Sequence, residues 1–194
     1  MTRVSPDIGY RYPRKGDRLL RKSDNWNEAV TFSDQAVSRH VQIWSGYMRA
    51  GDALIDVCDR SALERNELIY PILFCYRHAL EMAMKWIVRR YGSFAGVPAP
   101  ELDHDLWQAC EAIFEFSGED VDGTNAVVEK IIKEFHDLDS GGLSFRYSVN
   151  RNGVLIRLPE GLIDLANVRD VMKGMANFFD GADAWLNELA SNTF

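Results

Sequence analysis

No stretch of these 194 residues stays apolar for the ~20 positions that a bilayer crossing requires, so no helical membrane span is expected. The opening Met-Thr-Arg-Val-Ser-Pro-Asp lacks the apolar heart of a secretory signal. Cysteine is scarce: Cys58, Cys75 and Cys110 are widely spaced and form no Cys-x-x-Cys. A reduced, cytoplasmic protein is expected, in which these thiols serve as small hydrophobes. There is no glycine-rich phosphate loop, no nucleophile elbow and no zinc-ligand spacing. Internal repeats and low-complexity segments are also missing, and no cofactor is expected.

What remains is ordinary for a soluble globular chain, with 46% hydrophobic and 26% charged residues. The length fits one domain with a sizeable core. The net charge of −7 is unevenly placed. Residues 1–24 carry seven cations against Asp7, Asp17 and Asp24, a surplus of +4, which leaves −11 on the rest. These residues show no period, contain Pro6, Pro13 and Gly16, and read as a basic extended arm. Such an arm can contact nucleic acid, or pack across its own acidic body or a neighbouring subunit.

Residues 25–194 read as a single helical bundle. Asn25, with Glu28 three residues on, marks the start of a long helix that runs to about Cys58, with Val30, Val37, Val41, Trp44, Met48 and Ile55 as its buried stripe. Ser61-Ala62-Leu63-Glu64 is a capping box for a central helix ending at Gly92, and Pro71 predicts a kink or restart near Tyr70. Asp103 can cap a short helix bearing Leu106, Cys110, Ile113 and Phe114, and Thr124 opens a helix burying Val127, Val128, Ile131, Ile132 and Phe135. A last helix spans about Asp164–Ala190. Its Val168, Met172, Met175, Phe179, Ala182, Leu186 and Leu189 form a heptad seam that can face a neighbouring helix or a second copy.

Between the last two helices the period changes. Leu143, Phe145, Tyr147 and Val149 alternate with polar residues, as do Val154, Ile156 and Leu158, and Asn152-Gly153 lies between. The fold expected is therefore all-α, about five helices, with a small β-hairpin near residues 143–158. A four-residue loop, Asn150–Gly153, would set Arg146 opposite Arg157, a like-charge conflict. A two-residue Asn152-Gly153 turn would pair Arg157 with Ser148 instead. The sequence leaves both registers open.

The central helix, residues 70–91, is apolar on nearly every side, yet Arg77, Glu81, Lys85 and Arg89 recur every four residues and stack along one line of it. Charges there must be paired or must face a site. Arg77, Glu81 and Lys85 form either an anion-gripping pocket, with Arg146 as a further cation and Tyr147 beside it, or an ion network completed by Asp137 or Asp139. His78 and Glu81 have ligand spacing, but no second His/Glu pair completes a di-metal bundle site, so no metal is expected.

Arg77-His78-Ala79-Leu80-Glu81 with Lys85, then His104-Asp105-Leu106, then Asp137-Leu138-Asp139-Ser140 leading into Phe145-Arg146-Tyr147, resemble in their order the prokaryotic HEPN superfamily. The resemblance covers roughly residues 60–190. It implies a helical domain of toxin–antitoxin and antiviral defence systems, frequently an RNA-cleaving dimer. Catalytic members carry an arginine followed four to six residues later by a histidine. None of His40, His78, His104 or His136 stands in that relation to an arginine, and Arg77 and His78 are adjacent, hence ~100° apart on a helix. The resemblance then implies a non-catalytic interaction or nucleic-acid-binding component, with RNA or a nucleotide as ligand, and a homo-oligomer or a subunit of a larger complex. The alternative is a metal-independent ribonuclease with a non-standard set drawn from His104, Arg146, His78 and Arg77.

Overall fold

The computed structural model describes residues 12–27, 29–58, 61–97, 106–118, 123–139 and 141–192. Five helices follow in order: α1 (Ala36–Cys58), α2 (Ala62–Tyr91), α3 (Leu106–Ser117), α4 (Thr124–Leu138) and α5 (Leu165–Asn192). The chain divides into two units, residues 1–34 and 35–194, and the second holds all five helices.

The helix expected from Asn25 begins instead at Ala36. Asn25 accepts through Oδ1 from the Asn27 amide at 3.2 Å, and Ser23 Oγ accepts from the Asn25 amide at 3.1 Å. These are the short side-chain-to-backbone turns that compete with helix in Asn- and Ser-rich stretches. Nothing covers the first part of the supposed stripe: Val30, Val37 and Val41 are exposed, whereas Met48 and Ile55 are buried.

α2 is the centre. It packs on α1, α3 and α5; α1 also meets α5, and α4 rests on α3. Ser61 caps α2 by accepting from the Glu64 amide at 3.1 Å. The reciprocal half of the capping box does not form, since Glu64 Oε2 is buried without a partner. The helix runs through Pro71 without a restart. One backbone bond is lost there, but Ile72, Leu73, Cys75 and Tyr76 follow at once as buried residues and offset the loss. All three cysteines are buried thiols, and none forms a disulfide among the described residues. Cys110 lies on α3 beside Ile113 and Phe114, all fully or nearly fully buried. On α4 only Val128 is buried, and Val127 is exposed, contrary to its place in the expected stripe.

Asp164 caps α5, its Oδ1 accepting from the Ala166 and Asn167 amides at 2.9 and 3.1 Å. The heptad seam of α5 is consumed inside the chain: Met172, Met175, Phe179 and Leu186 are at most 2% exposed in the shared core, so the seam is no argument for a second copy. No helix among the described residues is long and apolar enough to cross a membrane.

The hairpin does not form as two strands. Among the described residues a single isolated antiparallel bridge joins Val149 to Leu155, with Ile156 N donating to Ser148 O at 3.0 Å and Asn150 N to Val154 O at 2.8 Å. That register is neither of the two left open; it lies one residue from both. Tyr147, not Arg146 or Ser148, falls across from Arg157. The cause is local. Asn150 Oδ1 accepts from the amides of Asn152 and Val154, at 2.9 and 3.0 Å, and holds a wider turn. Upstream, the Arg146 and Tyr147 amides both bond back to Leu143 O, curling residues 143–147 into a helical turn where extended backbone was expected. Phe145 is buried while Tyr147 and Val149 stay exposed.

Two glycines of α1 offer a paired test. A Cβ on Gly51 would lie 2.5 Å from Tyr76 Cε1, and that ring is fully buried and held by its hydroxyl, which donates to Asp52 Oδ1 at 2.7 Å. A Cβ on Gly46 would meet nothing within 4 Å. Gly46→Ala is expected to stabilise by ~0.5–1 kcal/mol through helix entropy. Gly51→Ala should instead destabilise by about 1–2 kcal/mol, since overpacking outweighs the same gain. Urea denaturation midpoints moving in the same direction would contradict this account of α1 on α2.

Candidate functional site

α2 positions the charged seam by its four-residue spacing, and the structure closes most of it into a network. Lys85 Nζ stands 2.5 Å from Glu81 Oε1, while Arg77 Nη1 and His78 Nδ1 each stand 3.8 Å from Glu81 Oε2. The Arg77 and Glu81 side chains are each 27% exposed, so the network is half-buried rather than enclosed. His78 and Lys85 hold the Glu81 carboxyl at about 2, against the burial that pushes it up. At 3.8 Å the imidazole contact is electrostatic rather than a formed hydrogen bond, and the Lys85 contact is the better made of the two.

Of the two carboxylates proposed to complete the network, Asp139 does so. It is 1% exposed, its Oδ2 lies 3.4 Å from Arg77 Nε, and its Oδ1 accepts from the Ser144 amide at 2.6 Å. The Oδ2 contact is a charge pair without hydrogen-bond alignment. Asp139 therefore fastens the loop after α4 to the middle of α2.

That loop carries Arg146 to the same place. Its Nε donates to Gly142 O at 2.7 Å, and its Nη2 donates to the same carbonyl. Gly142 has φ +65°, and a Cβ there would lie 3.5 Å from Arg146 Nη2 and 3.6 Å from Arg77 Nη2. Two guanidinium groups thus flank one glycine. Arg77 is neutralised by Asp139. Arg146 is exposed, with its Cζ 6.0 Å from the Phe74 ring and 5.7 Å from the Tyr147 ring.

The expected site residues thus separate into two groups. Arg77, Glu81, Lys85 and His78 are tied together; the His78 ring also packs edge-on to Tyr47 at 4.5 Å and parallel to Phe74 at 5.9 Å. Arg146 and Tyr147 belong to an open groove of about 920 Å³, lined also by Tyr70, Ser148, Arg157 and Glu160. Among the described residues neither Arg146 nor Arg157 has a carboxylate partner. His104 lies outside the described residues.

The sequence did not single out Tyr70, Arg157 or His136 as site residues. Tyr70 precedes Arg77 by seven positions, two helical turns, and so shares its face. His136, from the last turn of α4, lines a second cleft of about 340 Å³ together with Arg77, Glu81 and Trp107. Trp107 Nε1 is buried there without a hydrogen-bond partner. Among the described residues, no three of His, Cys, Asp and Glu stand together as a metal-binding group.

Compared with models of protein families, with curated proteins and with solved structures, the chain matches none.

The network's half-buried setting fixes the size of the mutational effects. Removing Arg77 leaves Asp139 buried without a counter-charge, so Arg77→Ala should cost ~3–5 kcal/mol. Glu81→Ala falls between the exposed and the buried case, at about 1–3 kcal/mol. Because folding lowers the Glu81 carboxyl from 4.5 to about 2, its contribution is complete above pH 4.5 and is lost as pH falls towards 2. Glu81→Gln should flatten that part of the acid-denaturation curve. Equal denaturation midpoints for Arg77→Ala and wild type would refute the Asp139 anchor.

Proposed function

We propose that this chain is a HEPN-like helical protein that binds RNA without cleaving it, as a component of a prokaryotic defence or toxin–antitoxin module. The observation that carries the reading is the open groove in which Arg146 and Arg157, lacking carboxylate partners among the described residues, stand with the exposed Tyr70 and Tyr147. Guanidinium groups recognise phosphate oxygens in a planar, two-pronged geometry. Exposed aromatic rings beside such cations stack with unpaired bases and make a platform for single strands. The resemblance of the Arg77–Lys85 segment and of Asp137–Tyr147 to HEPN proteins supports the biological setting. Self-association rests on that resemblance alone, since the α5 seam is spent within the chain.

What favours binding over cleavage is the state of two members of the candidate catalytic set. Arg77 is paired with Asp139, and His78 is held between Glu81 and two aromatic rings. One observation favours the ribonuclease as a second reading: Arg77 and His136, distant in sequence, line the same cleft. An imidazole can serve there as general base and a guanidinium can stabilise the developing charge on phosphate.

Fluorescence anisotropy with a labelled single strand of about 12 nucleotides tests both readings. Arg146→Ala and Arg157→Ala should each flatten the dependence of log K on log salt by about 0.7, the increment for one phosphate on a single strand. Tyr147→Ala should weaken binding by ~1–3 kcal/mol. The RNA should emerge intact. Cleavage that disappears in His136→Ala would select the ribonuclease, and binding indifferent to the groove substitutions would reject the proposed surface.

A further inference from the structure

Half a helical circumference from the charged seam, α2 borders a partly open pocket of about 220 Å³ shared with α1 and α5. Its walls include His40, Trp44, Trp86, Phe179, Asp180 and Asp183. Three hydrogen-bond donors at or behind this pocket are engaged within the protein. Trp86 Nε1 donates to Asp183 Oδ1 at 2.7 Å, and the Tyr91 hydroxyl, behind the wall, donates to the same oxygen at 2.6 Å. His40 Nε2 lies 2.9 Å from Met82 O. A carbonyl only accepts, so Nε2 carries the proton and the neutral ring presents Nδ1 as an acceptor. Burial, with the charge of Arg89 adding, holds His40 below the ordinary imidazole range, which keeps that ring neutral.

Apart from the Trp44 indole N–H, what is left free is of one kind. Among the described residues, Asp183 Oδ2 and the Asp180 carboxylate have no hydrogen-bond donor. Burial and the nearby Asp183 charge push the Asp180 carboxyl up, as expected of an acid that lacks a counter-ion. The remaining lining is aromatic and aliphatic. Arg90 is the nearest cation over Trp86, with its Cζ 5.1 Å from the ring, but it is directed to Asn187 Oδ1 at 2.7 Å and is not part of the pocket wall. A pocket with mostly apolar walls and two carboxylates, whose one spare donor is the Trp44 indole N–H, is complementary to a ligand that brings its own protons and positive charge.

We propose that the pocket between α1, α2 and α5 binds an alkylammonium group, with the ammonium directed to Asp180 and Asp183 and the alkyl chain against Trp44, Trp86 and Phe179. The group can belong to a free small amine or to a lysine side chain, which share this chemistry. The inference is independent of the RNA-binding reading, since no residue of the groove takes part.

Isothermal titration of the full chain at constant ionic strength tests it with n-butylammonium, Nα-acetyl-lysine amide and the neutral isostere n-butanol. At least one amine should bind with a dissociation constant of about 1 mM or tighter, and n-butanol about tenfold more weakly or worse. Binding of butylammonium alone would identify free amines as the ligand; binding of the lysine amide would identify a lysine side chain. Asp180 is exposed at the rim and makes no hydrogen bond among the described residues, so Asp180→Asn should fold normally and weaken amine binding by about tenfold. Equal affinity for butylammonium and butanol, no heat from either amine at roughly ten times that concentration, or an unchanged affinity in Asp180→Asn would overturn the proposal.

Discussion

A helix packed on three neighbours can leave few polar groups unmatched, because each unpaired buried donor or charge costs as much as several well-packed methylenes gain. α2 is such a helix, and it nevertheless carries Tyr76, Arg77, Glu81, Lys85, Trp86 and Tyr91. Each finds its partner, and most of the partners stand on other elements. The Tyr76 hydroxyl reaches Asp52 on α1, whose backbone carbonyl and neighbour Asp56 are held by Arg169 from α5. Trp86 and Tyr91 both reach Asp183 on α5. Arg77 reaches Asp139 after α4. Apolar packing would permit α1 and α5 to slide along α2 at modest cost. These directional bonds choose one setting, and the same bonds decide where side chains are left free to meet a ligand.

The sequence was a good guide where periodicity and burial agree. α2, α3 and α5 appear within a few residues of their expected limits because their apolar positions recur at helical spacing and are in fact buried. α1 was read too long at its start, where Val30 keeps the period outside the helix; Val37 and Val41 are helical but exposed, since period alone does not show that a neighbour exists to cover it. The segment after Asp139 failed for a related reason. Alternation at Leu143, Phe145 and Tyr147 is a strand signal only if both faces have a use. Here Asp139 accepts from Ser144 N and Arg146 donates to Gly142 O, and these local bonds satisfy the backbone before a ladder can.

The candidate site was legible in part. The four-residue spacing of Arg77, Glu81 and Lys85 revealed the network, and Asp139 was one of two proposed partners. That the network is closed, with Arg146 left as the accessible cation, depends on Gly142 bringing two loops' worth of chain onto α2. No local pattern encodes that. His136 and Arg77 are separated by a whole helix in sequence, and Trp86 meets Asp183 across 97 positions. Such pairs have no spacing to read.

Arg77 and Trp86 are nine positions apart, which at ~100° per residue places them on opposite sides of α2. The side of Arg77 faces the loop after α4, where Asp139 answers Arg77 while Arg146 meets a backbone carbonyl and aromatic rings, and positive charge is left in surplus at Arg146. The side of Trp86 faces α1 and α5, where Asp180 and Asp183 exceed the donors available, and negative charge is left. A helix with its side chains is ~10–12 Å thick, and salt screens charge over ~8 Å at physiological strength. The two sides therefore present opposite potentials that scarcely cancel. An acidic chain with a net charge of −7 can on that basis still offer phosphate a favourable surface. On the proposed reading that attraction is confined to one groove, and it should fade faster with added salt than binding in the less open amine pocket.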